Sequence, residues 1–234
     1  MPNSDQCLQS LKPFFEPRSI AVVGASSNPA KPGGFPIAQM LKRGFAGDIY
    51  PVNPKQPDVQ GLKAYASLSD ISAPIDLAIC ALPGKLALEV TNQCAKAGVK
   101  AMVMFSAGFG EVDDAGAALQ AQILTVANNA NMRLLGPNSL GVTNMTNGAI
   151  ASFAPSIAMA GESAGNIGIV TQSGAFGNIA NILLADQSLR LSKMMATGNE
   201  ADVQTAEGLL YLAEDPATEV ILLYLEGCAD GPLL

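Results

Sequence analysis

The sequence predicts a two-domain α/β protein built on parallel sheets. Apolar runs that suit strands alternate with helical spacing along the chain, which is typical of a parallel sheet wound with right-handed crossovers. The 234 residues are 49% hydrophobic and only 14% charged, as expected where strands are buried on both faces. This length also suffices for two domains, each with its own buried core.

The first half of the chain alternates between strand and helix patterns. Each apolar run ends at Gly or Pro, and each helical stretch carries apolar residues three or four positions apart. The predicted strands are "RSIAVVG", "GDIYPVNP", "IDLAICALP", "KAMVMFSAG" and "MRLLGPN", and the predicted helices are "GFPIAQMLKRGF", "KLALEVTNQCAKAG" and "DDAGAALQAQILTVANNA". In such a sheet, ligands bind at the carboxyl ends of the strands.

The second half follows a segment of Asn, Thr, Ala, Gly and Ser without a strong period, from about residue 142 to 163. We interpret this segment as a domain connection and place the domains at 1–142 and 143–234. The pattern then restarts with the strands "GNIGIVTQ", "RLSKMMATG" and "TEVILLYLEG" and the helices "GAFGNIANILLADQ" and "VQTAEGLLYLAED". Because the chain stops just past a strand, we expect the second domain to be truncated or completed by another chain.

Composition excludes several classes of function. A net charge of -7 without a Lys/Arg block argues against nucleic acid, and no run reaches the roughly 18 apolar residues of a membrane span. The four cysteines (Cys7, Cys80, Cys94 and Cys228) are far apart, which indicates reduced thiols and a cytoplasmic protein. The absence of histidine excludes Ser-His-Asp and Cys-His catalysis, and no metal site is predicted.

The first strand ends in the loop "GASSNPAKPGGF", residues 24–35. It occupies the place of the G-x-G-x-x-G turn of dinucleotide-binding folds, but its glycines lie at 24, 33 and 34, so the NAD fingerprint is absent. Ser26, Ser27 and Lys31 could still hold a pyrophosphate together with backbone amides. An ordinary surface loop is the alternative interpretation.

The second strand ends in "YPVNPKQ", where NAD enzymes commonly place an acidic residue on the ribose. This chain has Asn53 and Lys55 instead, and a cation suits a ribose that bears a phosphate. Coenzyme A carries a 3'-phosphate and NADP a 2'-phosphate, so Lys55 does not distinguish them. A solvated lysine in a proline turn is the alternative.

Four later strand ends place turns at the same edge of the predicted sheets. They are "LPG" (82–84), "FSAGFGE" (105–111), "LLGPNSLG" (134–141) and "TQSGAFG" (171–177). Gly at such turns allows a ligand to approach the backbone, and the helix that starts after "TQS" offers unpaired N–H groups to an anion. Each turn taken singly is better explained as a simple connection, and the prediction depends on their occurring together.

Seven segments, taken in order, carry a family resemblance: "EPRSIAVVGAS", "YPVNPK", "IDLAICALP", "SAGFGE", "GPNSLG", "GIVTQSGAFG" and "TGNEADV". Together they resemble the N-terminal half of the ADP-forming (nucleoside-diphosphate-forming) acyl-CoA synthetases, which are relatives of the succinyl-CoA synthetase α subunit. The resemblance implies an α/β chain with a Rossmann-like CoA-binding domain followed by a flavodoxin-like, succinyl-CoA-synthetase-like domain with a parallel sheet.

The resemblance also implies roles for single residues. Coenzyme A would lie along the first loop, with a phosphate near Lys55, its adenine beside Pro83 and its thiol near "SAG" and "GPN". Ser173 and Gly174 would steady a phosphoryl group at the start of a helix. The implied coenzyme A contacts are Gly24, Ala25, Ser26, Asn53, Lys55, Pro83, Ser106, Ala107, Gly108, Gly136, Pro137 and Asn138. The acyl group would contact the domain junction near Ser139 and Phe176.

The implied reaction converts a carboxylic acid, CoA and ATP into acyl-CoA, ADP and phosphate through a phosphohistidine. In the family, the histidine and the ATP-grasp region, with ATP/ADP and Mg, lie outside the part that these 234 residues resemble, so this chain alone would be inactive. An ATP-grasp domain or subunit is therefore the expected partner, in an oligomer. Relatives carry a carboxylate that anchors the histidine where this chain has Leu210, and Glu207 lies one turn earlier; the anchor stays unassigned.

Two other functions stay open. The same two domains could form a non-catalytic acyl-CoA-binding or regulatory module, which Leu210 favours. Lys55 is also compatible with an NADP oxidoreductase, although the long first loop and the missing catalytic His or Tyr-x-x-x-Lys count against it. A hydrolase is poorly supported because "TQSGA" is not G-x-S-x-G.

Overall fold

The computed structural model describes residues 4–161, 163–228 and 231. The strands are, in chain order, β1 (Ser19–Val23), β2 (Asp48–Val52), β3 (Asp58–Val59), β4 (Leu62–Lys63), β5 (Leu77–Cys80), β6 (Ala101–Met104), β7 (Arg133–Leu135), β8 (Gly141–Asn144), β9 (Ala149–Ser152), β10 (Ile167–Thr171), β11 (Leu191–Ala196) and β12 (Val220–Tyr224). The α-helices are α1 (Ser4–Phe15), α2 (Phe35–Lys42), α3 (Ala87–Lys96), α4 (Asp114–Asn129), α5 (Ser156–Met159), α6 (Gly174–Asp186) and α7 (Thr205–Ala213). Each predicted strand and helix is present, and the predicted α/β class is confirmed.

The first sheet has the strand order β2-β1-β5-β6-β7, and all of its pairings are parallel. Alternate residues of its central strands enter two different cores. Ile20 and Val22 of β1 belong to one apolar cluster, whereas Ala21 and Val23 belong to the other. Because both faces of the sheet are covered, its strands form continuous apolar runs in the sequence.

The second sheet has the order β12-β10-β11-β8-β9 and is mixed rather than fully parallel. Strands β12, β10 and β11 are parallel, but β8 pairs antiparallel with both β11 and β9. The segment interpreted as a connection, 142–163, therefore contains most of a hairpin and the short helix α5. Its strands are four residues long and rich in Ala, Asn, Ser and Thr, so they lack the apolar pattern that marks a strand.

Helix α1 joins the two sheets, and sequence reasoning did not predict it. Its apolar face is buried, and the ring of Phe15 stacks on Tyr211 of α7 with centroids 4.4 Å apart. The Tyr211 hydroxyl donates a hydrogen bond to Glu16 Oε1 at 2.6 Å. From the second sheet, Asn144 Nδ2 donates to the carbonyl of Phe15 at 2.9 Å.

A second set of contacts joins β7 to α7 and to the segment before it. The guanidinium of Arg133 lies 2.9 Å from Asp202 and 2.9 Å from Glu207, and the amide of Leu134 donates to Asp202 at 2.8 Å. These bonds fix the two sheets relative to each other.

Among the described residues, no helix is both long and apolar enough to cross a bilayer.

Candidate functional site

A cavity of about 470 Å³ lies at the carboxyl ends of three strands of the first sheet. Four of the predicted coenzyme-contact residues line it: Gly24 and Ala25 after β1, and Asn53 and Lys55 after β2. The cavity also includes Leu82, which follows β5. Ser26 and Pro83, which the sequence places in the same site, are adjacent in the chain to lining residues but do not line the cavity themselves.

The loop after β1 is held by its own backbone. The amides of Gly24 and Ala25 both donate to the carbonyl of Val52, at 3.1 and 3.2 Å, and the amide of Ser26 donates to Gly33 at 3.3 Å. Glycine is required here for close packing, because a Cβ on Gly33 would lie 2.0 Å from the carbonyl oxygen of Gly24. The amides of these three implied coenzyme A contacts, Gly24, Ala25 and Ser26, therefore already have protein partners.

Asn53 connects the ends of β1 and β2. Its Nδ2 donates to the carbonyl of Ala25 at 2.8 Å, and its Oδ1 accepts from the amide of Lys55 at 2.8 Å. The ammonium of Lys55 takes no part in the ion pairs found among the described residues. Lys55 thus supplies a cation to the cavity, while Asn53 sets the shape of its wall.

One wall of this cavity comes from the residues after β5, including α3; the sequence predicts this helix but not its place in the site. Its residues are Leu82, Leu86, Glu89, Val90 and Gln93. On α3, Gln93 Nε2 donates to Glu89 Oε1 at 3.2 Å. The sequence signal for this wall is the helical spacing of residues 86, 90 and 93, which places them on one face of a helix. This helical segment comes directly after the predicted "LPG" turn in the chain.

A second cavity, of about 430 Å³, lies between the two sheets. Residues that follow five parallel strands line it: Phe105 after β6, Asn138 after β7, Ser173 after β10, Asn199 after β11 and Glu226 after β12. The carboxyl ends of both sheets therefore meet at one place, which is where open α/β sheets bind ligands. We call this space the interdomain cavity.

The start of α6 faces the interdomain cavity through Ser173, Gly174 and Ala175. The hydroxyl oxygen of Ser173 caps the helix by accepting from the amide of Phe176 at 3.2 Å. The first N–H groups of an α-helix have no partners within the helix, and the helix dipole makes this end electropositive. Gly174 also packs closely, since a Cβ there would lie 3.0 Å from the Cβ of Leu140.

The "SAG" turn after β6 is next to the interdomain cavity, between the lining residue Phe105 and a hydrogen bond to the lining residue Asn138. The hydroxyl of Ser106 donates to the carbonyl of Leu82, and the carbonyl of Ser106 accepts from the amide of Asn138 at 2.7 Å. Ala107 and Gly108 continue this turn, and Gly108 adopts a positive φ of 101°. Ser106, Ala107 and Gly108 therefore lie beside the interdomain cavity rather than in its lining.

Glu111 is a carboxylate of the interdomain cavity that sequence reasoning missed. It accepts from the amides of Gly108 at 2.7 Å and Phe109 at 3.1 Å, and the side chain of Asn199 donates to it from the other domain. Burial opposes ionisation of Glu111, but these hydrogen bonds outweigh it and lower its pKa. Glu111 therefore stays ionised and occupies two loop amides.

The "GPN" turn after β7 connects the domains. Gly136 has a positive φ of 108° and precedes Pro137 through a cis peptide bond. The carbonyl of Pro137 accepts from the amide of Asn199 at 3.0 Å, and Asn138 Nδ2 donates to Asn199 Oδ1 at 3.3 Å. Of the three predicted residues, only Asn138 lines the interdomain cavity.

The two residues predicted near an acyl group lie in different surroundings. Ser139 lines the interdomain cavity but is only 1% exposed, and its hydroxyl donates to the carbonyl of Ala196. Phe176 does not line this cavity and stacks on Tyr224 with centroids 4.6 Å apart.

The carboxylates near α7 have defined partners. Glu207 pairs with Arg133 and accepts from the amide of Gln204 at 2.9 Å, so it belongs to the helix start and the domain contact. Glu200 accepts from Gln172 Nε2 at 2.9 Å and from the amide of Thr205 at 2.6 Å. Because Gln172 lines the interdomain cavity, Glu200 lies closer to this site than Glu207 does.

Two family models match the chain. One, described as "CoA binding domain", matches residues 18–145, and another, described as "Succinyl-CoA ligase like flavodoxin domain", matches residues 164–234. Both models and their order agree with the resemblance predicted from the seven segments, which is thereby confirmed.

Similar proteins extend well beyond this chain. It is 40% identical over 231 residues to an ADP-forming acetate–CoA ligase II of Archaeoglobus fulgidus, with 97% of this chain and 34% of the relative covered. It is 37% identical over 218 residues to the alpha subunit of an ADP-forming acetate–CoA ligase II of Pyrococcus furiosus, with 93% and 46% covered. The chain thus spans about a third to a half of the length of these relatives.

A solved structure has the same fold. The dinucleotide-forming acetyl-coenzyme A synthetase 1 of Candidatus Korarchaeum cryptofilum, in complex with phosphate and ADP, superposes with a TM-score of 0.86 at 35% identity. The match covers 94% of this chain and 46% of that chain.

Proposed function

The chain belongs to the CoA-binding domain family, and we propose that it is the CoA-binding and phosphoryl-holding part of an ADP-forming acyl-CoA synthetase. The complete enzyme would convert a carboxylic acid, CoA and ATP into acyl-CoA, ADP and phosphate. The relatives that cover nearly all of this chain are ADP-forming ligases of this type. A cytoplasmic location and assembly into an oligomer are part of the same proposal.

The observation that carries the proposal is the interdomain cavity. It brings the turn that would hold the CoA thiol and the helix start that would hold a phosphoryl group to one space, through Asn138 and Ser173. Transfer of an acyl group between phosphate and a thiol requires both reactants at one site in a fixed orientation. The ion pairs of Arg133 with Asp202 and Glu207, and the stacking of Phe15 on Tyr211, hold the domains together and would fix that orientation.

The residues of the first cavity fit the nucleotide end of CoA. Its apolar wall suits a base, and Lys55 supplies a cation for a ribose phosphate. CoA itself would supply the thiol that accepts the acyl group. Because the amides of Gly24, Ala25 and Ser26 are bonded within the protein, we infer that phosphate is bound mainly by the ammonium of Lys55, which lines the cavity, and by the hydroxyl of Ser26, which lies next to it in the loop.

The start of α6 would hold the phosphoryl group. The amides of Gly174 and Ala175 and the hydroxyl of Ser173 can donate hydrogen bonds to phosphate oxygens without changing their own protonation. The chain contains no histidine, so a phosphorylated histidine would come from further polypeptide, as would the ATP-grasp region that binds nucleotide and Mg. A relative that is named as an alpha subunit supports a separate partner subunit.

A second candidate is a non-catalytic acyl-CoA-binding module. Leu210 favours it, because the carboxylate expected there is missing and Glu207 is committed to Arg133. The two candidates differ in ATP use. The assay measures ADP release by a protein that contains this chain and its ATP-grasp partner. Release that depends on both CoA and a carboxylic acid identifies a synthetase. Acyl-CoA binding without ADP release identifies the module.

The proposal is tested by calorimetric titration of the chain with CoA, dephospho-CoA and NADPH at fixed salt. We expect CoA to bind about tenfold more tightly than dephospho-CoA, because a charge-assisted bond to the 3'-phosphate contributes about 1.5 kcal/mol. Lys55→Ala removes this difference, and Lys42→Ala, an exposed lysine outside the cavity, preserves it. Binding of NADPH in place of CoA would overturn the proposal.

A further inference from the structure

One side of the interdomain cavity is apolar and is continuous with the start of α6. Phe105 of the first domain and Phe153 of the second have ring centroids 4.7 Å apart, and both line the cavity. Leu140, which also lines it, lies against Gly174 and accepts at its carbonyl from the hydroxyl of Ser152 at 2.7 Å. This apolar wall of Phe105, Leu140 and Phe153 therefore runs from the phosphoryl end of the cavity to the "SAG" turn.

The charges around this wall are negative. Among the described residues that line the interdomain cavity, the charged side chains are Glu111 and Glu226, and neither Lys nor Arg is present. A second carboxylate on a substrate would find no cation there and would lose hydration against the phenylalanine rings. An uncharged, apolar chain would instead bury its surface against the wall.

We propose that Phe105 and Phe153 form the surface that contacts the acyl chain and that they set the length of uncharged acyl group accepted. This inference rests on the proposed function, since it assigns the acyl end of the same site. The rings come from different domains, so an acyl group is held between the domains. The backbone of Phe105 is fixed, because its amide donates to the carbonyl of Cys80 at 3.2 Å.

The wild-type chain provides the first test, by calorimetry with CoA, acetyl-CoA, butyryl-CoA, hexanoyl-CoA and succinyl-CoA. We expect affinity to rise about fourfold for each methylene that reaches the apolar wall, because each buried CH₂ contributes about 0.8 kcal/mol. The gain stops once the acyl chain has filled the space beside the two rings and further carbons cannot be buried. Succinyl-CoA binds more weakly than butyryl-CoA. Equal or tighter binding of succinyl-CoA would overturn the inference.

Substitutions at the rings provide the second test. Phe105→Leu and Phe153→Leu are expected to extend the gain in affinity by one or two carbons, measured within each variant as the affinity for acyl-CoA relative to that for CoA. Phe45→Leu, at a half-buried phenylalanine that lines neither cavity, is the matched control. Unchanged chain-length dependence in both ring variants contradicts the inference. Failure of the wild-type chain to bind CoA contradicts the proposed function instead.

Discussion

The ion pair between Lys193 and Asp215 holds the second sheet to the loop after α7. The two charged groups are 2.6 Å apart with side chains only 4% and 10% exposed, and the hydroxyl of Thr218 donates to the same oxygen of Asp215. Burial opposes ionisation of Asp215, but the bonds from Lys193 and Thr218 outweigh it and lower its pKa. Each buried charge is balanced by its partner, so removal of the Asp215 carboxylate would leave the charge of Lys193 buried without a counter-charge.

We therefore predict that Asp215→Asn destabilises the chain by about 3 kcal/mol at pH 7. A carboxylate whose pKa is lower in the folded state stabilises the protein above its unfolded pKa of about 3.9, and this contribution is lost as pH falls through the folded pKa. The difference between wild type and variant should stay constant from about pH 5 to 8 and narrow below about pH 4. Urea unfolding across this range measures it.

Asp186→Asn, at an exposed aspartate, is the control for this prediction and should change stability by less than about 0.5 kcal/mol. A difference between wild type and Asp215→Asn that persists unchanged at pH 2.5 would show that the ionised pair is not its source.

Several residues of the two cavities could be predicted from the sequence. Asn53, Lys55, Ser173 and Asn138 are identified by their places after strands, and all four line a cavity. The long-range hydrogen bonds of Asn53 and Asn138 could not be predicted, because their partners are distant in sequence. Asn53 bonds to Ala25 across 28 residues, for example.

At the scale of elements, the loop after β1 depends on close contacts between backbone segments. A Cβ on Gly33 would lie 2.0 Å from the carbonyl oxygen of Gly24, and one on Gly34 would lie 2.0 Å from that of Asn28. The obstructing atoms belong to the backbone, so they cannot rotate away. Substitution must therefore displace the loop that borders the first cavity.

We predict that Gly33→Ala lowers the affinity for CoA by about tenfold or more, because the clash displaces Gly24 and Ala25 from the lining of the first cavity. The same clash should lower the free energy of unfolding by about 1–3 kcal/mol. The circular dichroism of the chain should be unchanged, because the loop lies outside the helices and strands. Gly227→Ala is the control, as its Cβ would meet no heavy atom within 4 Å. Calorimetry that shows equal CoA affinity for Gly33→Ala and wild type would contradict this account of the loop.

The elements that the sequence predicts are those with a strong apolar pattern. Strands such as β1 and β10 are five residues long and buried on both faces, so they form clear runs. In the hairpin of β8 and β9, the polar side chains of Thr143, Asn144 and Ser152 are buried, and those of Asn144 and Ser152 form hydrogen bonds. Burial of polar residues depends on tertiary partners, which no local pattern contains.

At the scale of the whole molecule, the interdomain cavity is the central feature. The sequence predicts that ligand-binding turns lie at the carboxyl ends of strands, and the family resemblance implies an acyl group at the domain junction, but neither identifies what directs the ends of the two sheets toward each other. That arrangement depends on contacts such as Phe15 with Tyr211 and Arg133 with Glu207. Glu111 and the apolar wall were missed for the same reason.

The most direct test of the account is the crystal structure of the chain with CoA. It should place the adenosine end in the first cavity, with the 3'-phosphate within about 3 Å of Lys55 Nζ, as a charge-assisted hydrogen bond requires. The thiol should reach the interdomain cavity beside Asn138, within reach of a group held by Ser173 and Gly174. A CoA molecule bound outside the first cavity, or one whose thiol points away from the interdomain cavity, would contradict the central claim.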